Sequence, residues 1–307
     1  MEFDIALFRD ATEVVFALAD RLYEKDSAAR APVPRRYFVK DANEAHLLAL
    51  DGSAAIVGMS LDDLLACSQS PHPNAGQLVA VYGVHRGFLQ LMARPGIVAI
   101  ADLRGKRIAV DTDTGYASAL YEILRRNGID RRKDVEIVYA GATDLRFQKL
   151  LHGEFDATLL GAPFTRLALR QQYSSLGSVI KALGGYQAVV LVARRPWLVQ
   201  HATEVRAVTQ CIAQTLKWAL EPGNRRDLVI LLRDILPALD GPSAEQVAED
   251  LFGTTNEFLP DGRFHDQDAR VVIDLFNGSH GISLPLDAVK QLTIYDFLDS
   301  AGPHQGL

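Results

Sequence analysis

Short apolar runs alternate with amphipathic stretches along the first two thirds of the chain. Phe3 to Phe8 alternates apolar positions as a strand does, and Glu13 to Glu24 carries Val14, Val15, Leu18 and Leu22 at helical spacing. Arg36 to Val39 reads as extended, Asn43 to Leu50 as a helix stopped at Asp51-Gly52, and Ala54 to Gly58 as a buried strand. Ser60 followed by Asp63 fits a capping box, with Leu61, Leu64 and Leu65 on the face behind it. This βαβαβ order predicts a parallel sheet covered on both faces, because each parallel crossover lays its helix on the sheet.

Gln69 to Gly76 is a turn-rich break, and Leu78 to Val84 and Phe88 to Met92 read as two extended runs parted by His85-Arg86-Gly87. A second α/β unit follows. Arg107 to Val110 predicts a strand. Thr114 to Asn127 predicts a helix with Ala117, Leu120, Tyr121 and Leu124 on one face and Gly128 past its end. Val135 to Tyr139 is the next strand, Thr143 caps a helix with Phe147, Leu150 and Leu151 inward and Gly153 as its stop, and Phe155 to Leu160 is a strand again. After a strand at Val189 to Ala193 the pattern turns helical, at about 203–220, 225–235, 243–252 and 266–277.

The 307 residues suffice for about two domains, each able to bury a core without staples. Lys+Arg 32 against Asp+Glu 38 gives a formal charge of -6 with no long basic block, so nucleic acid is not an expected partner. The two cysteines, Cys67 and Cys211, are expected to be unbridged buried thiols. No apolar run reaches the roughly 18 residues of a membrane span, and the N-terminus lacks the basic start and apolar stretch of a secretory leader. As written, the chain is expected in the cytoplasm. A mature exported protein whose leader was replaced by Met1 is the other reading, and the strand pattern beginning directly after Met1 leans to the first.

Three stretches carry a family likeness. Phe88-Leu-Gln-Leu-Met-Ala-Arg-Pro-Gly-Ile, Asp102-Leu-Arg-Gly-Lys-Arg-Ile-Ala-Val-Asp and Gly153-Glu-Phe-Asp-Ala-Thr-Leu-Leu-Gly-Ala-Pro-Phe stand in the order and spacing of the type 2 periplasmic binding proteins. Asp51-Gly-Ser-Ala-Ala-Ile-Val-Gly-Met-Ser looks like the first-lobe counterpart. The chain most resembles the branch holding sulfonate/nitrate/taurine ABC transporter substrate-binding proteins and thiamine-pyrimidine synthases. The resemblance implies a two-lobed α/β fold with a ligand cleft between lobes joined by two crossings. Residues 1–85 plus 187–307 would form one lobe and 86–186 the other. The synthases carry a Cys-rich motif with an active-site histidine, and two isolated cysteines argue against that activity here.

In parallel α/β sheets ligands sit where strands end, which selects the candidate residues. Arg9 and Asp10 follow the first strand, Met59 and Ser60 the third, and Tyr82 and His85 mark the outward crossing. Asp111, Thr112, Thr114, Gly115, Tyr116, Ala142, Pro163 and Phe164 follow the second-lobe strands, and Tyr186 marks the return. Thr112, Thr114 and Gly115 offer unpaired N–H groups at a helix start, whereas Asp111 and Asp113 disfavour a bare anion and suit N–H or ammonium donors. Asp113 and Ser60 serve equally as helix caps. Arg9 fits a carboxylate clamp or a surface pair with Asp10 or Asp62. Tyr116, Phe164, Phe8 and Tyr186 would wall a planar ligand or pack as core. His46 and His152 read as solvated, and His265, His280 and His304 lack metal-type spacing, so no metal is expected. No Walker, dinucleotide, G-x-S-x-G or CxxC motif occurs, and no cofactor is expected.

Two functions remain open at this point. One is a binding protein that closes on a small polar organic molecule, with an ABC transporter permease as partner if the chain is exported. The alternative is a cofactor-independent hydrolase, decarboxylase or lyase on the same scaffold, with His85, Asp10 or Asp113 as acid or base.

Overall fold

The computed structural model describes residues 3–24, 34–255 and 257–298; Met1 and His304 lie outside them. The chain opens with strand β1 (Asp4–Leu7), helix α1 (Ala11–Glu24), β2 (Arg35–Phe38), α2 (Ala42–Asp51), β3 (Ile56–Ser60), α3 (Leu61–Ser68) and β4 (Leu78–His85). The middle holds β5 (Gln90–Ala93), β6 (Arg107–Val110), α4 (Tyr116–Arg126), β7 (Glu136–Tyr139), α5 (Thr143–Leu151), β8 (Ala157–Leu160), α6 (Phe164–Arg170), β9 (Ser174–Ser178) and α7 (Val179–Leu183). Then come β10 (Val189–Arg194), α8 (Arg195–Gln200), α9 (Ala202–Leu220), α10 (Arg225–Ile235), α11 (Gly241–Phe252), α12 (Asp266–His280) and α13 (Leu286–Gln291).

Among the described residues, ten strands form two sheets of one design. The first has the order β2-β1-β3-β10-β4 and the second β7-β6-β8-β5-β9. In each, three strands run parallel, as Ile5 opposite Ile56 and Ile108 opposite Ala157 show. In each, one strand is antiparallel to both neighbours, β10 in the first and β5 in the second. Those two strands are the ones the chain enters on crossing from the other sheet. The crossings are tied together, with Ala188 N donating to the His85 carbonyl at 3.2 Å. This is the two-lobed α/β architecture that the chain pattern and the family likeness predict.

β3, a central strand, and β4, an edge strand whose outer side is covered by the segments at Phe258 and Thr293, are buried along their whole length. One apolar core runs through both sheets at the crossings, through Leu89, Leu91, Tyr186, Ala188 and Val190. A second fills the other face of the first sheet beneath α1, α9, α10 and α11, and a third packs Phe147, Phe155 and Leu160 against the second sheet. Both cysteines are free and buried, as the sequence suggests.

Local differences have physical reasons. Helix α4 begins at Tyr116 rather than Thr114, because Gly115 at φ +59° ends the turn before it. Thr143 is the first residue of α5 and makes no capping bond; Ala142 precedes it. β9 is the half-exposed edge run Ser-Ser-Leu-Gly-Ser, too polar to show as a strand in the pattern.

Candidate binding cleft

The carboxyl ends of the parallel strands of both sheets face one another. Lys40, just past β2, offers its carbonyl to Ala142 N at 2.8 Å, and Thr114 Oγ1, before α4, donates to Asp63 Oδ1 at 2.9 Å. These bonds close the two sheets onto each other. Gly115 is required at this junction: its φ is +59°, and a Cβ there would stand 2.8 Å from Asp63 Oδ2.

Asp62 and Asp63 enter on the first turn of α3, where the helix dipole favours carboxylates. Asp63 is fully partnered. It takes bonds from His46 Nε2 (2.9 Å), Ser60 Oγ (2.8 Å) and Thr114 Oγ1 (2.9 Å), and its N–H is capped by Ser60 Oγ. Burial opposes its charge, but the His46 bond and charge, with the two hydroxyls, hold its pKa below the ordinary value. Burial likewise opposes charge on His46, yet bonds to Asp63 and Cys67 and the Asp63 charge carry it up to about 10. His46 is therefore an imidazolium paired with Asp63, not the solvated residue its helix position suggests.

Asp62 differs from its neighbour. It is 1% exposed, Tyr186 Oη donates to its Oδ2, and its Oδ1 has no hydrogen-bond partner. Burial pushes its pKa well above the usual carboxylate range against the Tyr186 bond, and the Asp63 charge adds to the rise. Asp111, after β6, repeats the pattern with a buried, unpartnered Oδ1. Burial raises it to about 7, with Arg146 opposing and Asp63 and Asp41 assisting. Asp10, after β1, accepts from Thr12 N at 2.8 Å and is raised to about 6, chiefly by burial.

Two aromatic rings stand among these acids. Tyr116 and Tyr186 lie 6.0 Å apart between centroids. The Tyr116 phenol is held well above its usual pKa by burial first and then by the charges of Asp10, Asp63 and Asp62. The buried cation, Arg146, is spent on its own lobe: Nε on Thr158 Oγ1, Nη1 on the Gly141 carbonyl, Nη2 on Thr143 Oγ1 and the Leu159 carbonyl.

Asp10, Ser60, Asp111, Thr112, Thr114, Gly115, Tyr116 and Tyr186 thus converge, and Ala142 sits beside them at the bond between lobes. Other residues selected from strand ends stand elsewhere. Arg9 lies over the Phe38 ring and 3.8 Å from Asp144 at the start of α5, half-exposed, and pairs with neither Asp10 nor Asp62. Met59 is core. Tyr82 is buried with its hydroxyl on the carbonyls of Leu259 and Pro260, because the segment following α11 covers β4. Phe164 packs on Phe147 at 5.3 Å beneath the second sheet, and Pro163, buried, precedes it at the start of α6. Asp113 caps nothing; it is exposed, held by Tyr121 Oη at 2.9 Å and Arg131 at 3.2 Å.

His85 is 4% exposed, shares a 3.2 Å bond between Nε2 and Thr12 Oγ1, and is walled by Phe88 and Phe258. Burial drops its pKa to about 3, so it is neutral at ordinary pH. Sequence reasoning missed Asp62, Asp63, His46 and Arg146 as cleft residues. Their signal was present in two consecutive acids directly after a buried strand, which the capping motif absorbed.

The NMT1/THI5 like family profile matches residues 76–224, just under half of the chain. No curated protein sequence matches. Among solved structures, the alkanesulfonate-binding protein SsuA from Xanthomonas axonopodis, bound to MOPS, is 18% identical, with 96% of this chain and 98% of that one covered at TM-score 0.72. The periplasmic nitrate-binding protein NrtA from Synechocystis PCC 6803 is 10% identical over 96% and 86%, at TM-score 0.75. A conserved Candida albicans gene product, described as having the generic periplasmic binding protein fold, is 10% identical over 98% and 99%, at TM-score 0.68. No helix among the described residues is long and apolar enough to cross a membrane. In fold the chain is similar to these periplasmic binding proteins along almost its whole length, and residues 76–224 are similar in sequence to the NMT1/THI5 like family.

Proposed function

We propose that the protein binds a small polar organic molecule between its lobes, residues 1–85 with 187–307 forming one and 86–186 the other. The observation that carries this is the pair of buried, partnerless oxygens, Asp62 Oδ1 and Asp111 Oδ1, at the seam where the lobes close. A buried polar atom without a partner costs about 1–3 kcal/mol, a cost that a bound ligand relieves. SsuA and NrtA, named as alkanesulfonate-binding and nitrate-binding proteins, have a similar fold and support the reading. Its extension is delivery of that solute to an ABC transporter permease from outside the cytoplasmic membrane. Cell fractionation of the source organism with an antibody checks that placement. The enzyme alternative is weakened at His85, walled by Phe88 and Phe258, and at Asp113, which faces solvent, and keeps Asp10 as its candidate in the cleft.

The test is a thermal-shift screen of the whole protein against amines, amidines, carboxylates, sulfonates and neutral heterocycles, with mass spectrometry of each mixture. A ligand at about 100 times its Kd adds roughly 2.7 kcal/mol to stability, worth several degrees in Tm. A stabilising compound recovered unchanged is the expected result. No stabilisation by any class, or conversion of the hit, overturns the reading.

A further inference from the structure

We infer that the cleft selects a small organic cation bearing N–H donors, of amine, amidine or guanidine type, and rejects the oxyanions that SsuA and NrtA are named for. The inference rests on the binding reading above and deepens it. Among the described residues, the buried carboxyls Asp10, Asp62, Asp63 and Asp111 converge on the seam against two buried cationic side chains, His46 and Arg146, with Asp41 near Asp111 and the half-exposed Arg9 beside Asp144 near Asp10. Neither buried cation is free. His46 is bound to Asp63, and Arg146 places all three of its nitrogens on oxygens of its own lobe.

An oxyanion needs several open N–H or O–H donors; most hydroxyls here are already committed, with Tyr116 Oη left open and the raised carboxyls offering an O–H only while protonated. The Ser60 and Thr114 hydroxyls donate to Asp63, the Tyr186 hydroxyl donates to Asp62, and Asp63 itself lies against the start of α4. What the seam leaves unmet is acceptor capacity: Asp62 Oδ1 on an almost fully buried residue, and Asp111 Oδ1 on the opposite lobe. One group donating N–H bonds toward both lobes satisfies each oxygen. The Tyr116 and Tyr186 rings add faces that attract a cation and repel an anion. Binding also has a proton signature. Asp111 faces Arg146 from α5, Asp63 from α3, and Asp41 with the Ala42 N–H at the start of α2; Asp62 faces Tyr186, Asp63 and Tyr116. An arriving cation therefore drives protons off the raised carboxyls.

Titration calorimetry of the whole protein with shape-matched probes decides it: guanidinium against nitrate, and benzamidine against benzenesulfonate, at pH 7.5. The cation of at least one pair is expected to bind ten-fold or more tightly than its anion. At pH 6.5, runs in two buffers of different ionisation heat should show proton release. Asp62→Asn is expected to weaken the cation ten-fold or more, and Asp111→Asn, less buried, gives the same reading if the first variant does not fold. Equal or tighter binding of nitrate or benzenesulfonate overturns the inference, as does a cation affinity unmoved in both variants. A wider-panel hit confined to oxyanions or neutral compounds overturns it and leaves the binding reading standing. No hit of any class overturns both.

Discussion

Asp268 and Asp62 are both almost completely buried, at 2% and 1% exposure, and the same residue, Tyr186, touches each. Their surroundings differ. Asp268, on α12, takes Arg86 through Nε at 2.7 Å and Nη2 at 3.0 Å, and the Tyr186 backbone N–H at 3.1 Å. Both oxygens are served, and Arg86 has a second acid in Glu257 at 3.2 Å. The clasp pins both crossings, at Arg86 and at Tyr186, to a C-terminal helix that also packs on α3 and α4. Asp62 holds one bond, from the Tyr186 hydroxyl, and keeps one oxygen bare. The difference separates two uses of a buried carboxyl: saturated, it fixes where the crossings run; unsaturated, it stores acceptor capacity that an arriving cation calls out by displacing its proton.

The largest way to break this comparison is Asp268→Ala. Removing the carboxylate strands a partly buried guanidinium and a buried backbone N–H, and the expected loss is about 3 kcal/mol, read from urea unfolding. A loss under about 1 kcal/mol would mean the clasp is ornamental and the crossings are held by the apolar core alone. Gly185 sharpens the same point, since a Cβ there would stand 2.5 Å from Asp268 Oδ1, so Gly185→Ala should weaken the clasp without deleting a charge.

Much of this architecture was legible in the chain, because period decides it. Val14, Val15 and Leu18 announce α1, the run through Val79 and Val84 announces β4, and βαβ order forces parallel pairing. The site was half legible. Strand ends point to the right loops, but a position at a strand end does not say which face its side chain takes, and Met59 and Tyr82 went into the core. His46 looked solvated because only the packing of α3 on α2 brings Asp63 to it. His85 looked available because nothing local reveals that Phe258 and Leu259, more than 170 residues later, bond back to the end of β4. Asp62 and Asp63 were visible as a helix start, and that local explanation was sufficient until both lobes were in place.

A smaller effect tests the paired acid beside Asp62. His46 is raised to about 10 in the fold from an ordinary value near 6.5, so the folded protein binds the extra proton between those limits. The stabilisation is whole below about pH 6.5 and is lost as pH rises through about 10. Urea midpoints of the wild type should therefore fall from pH 6.5 to pH 9.5, and His46→Gln should flatten that fall. A variant whose slope matches the wild type would show that Asp63 draws its support from Ser60 and Thr114 alone.

The smallest effect runs in the same pH direction and bears most directly on the comparison. Asp62 is raised in the fold, so the native state holds its proton more tightly than the unfolded chain does, and its contribution is greatest below an ordinary carboxylate pKa near 3.9 and declines as pH rises. Asn at this position accepts the Tyr186 hydroxyl through its carbonyl and cannot ionise. Asp62→Asn should accordingly lie within about 1 kcal/mol of the wild type in the absence of ligand, and gain on it between pH 5 and pH 8.5. The same chemistry at Asp268 should cost stability at both pH values, because Asn cannot hold both nitrogens of Arg86 as the carboxylate does. If Asp62→Asn instead loses stability at pH 8.5 to the same extent as Asp268→Asn, then Asp62 is a second structural clasp, and the bare oxygen is no acceptor held for a ligand.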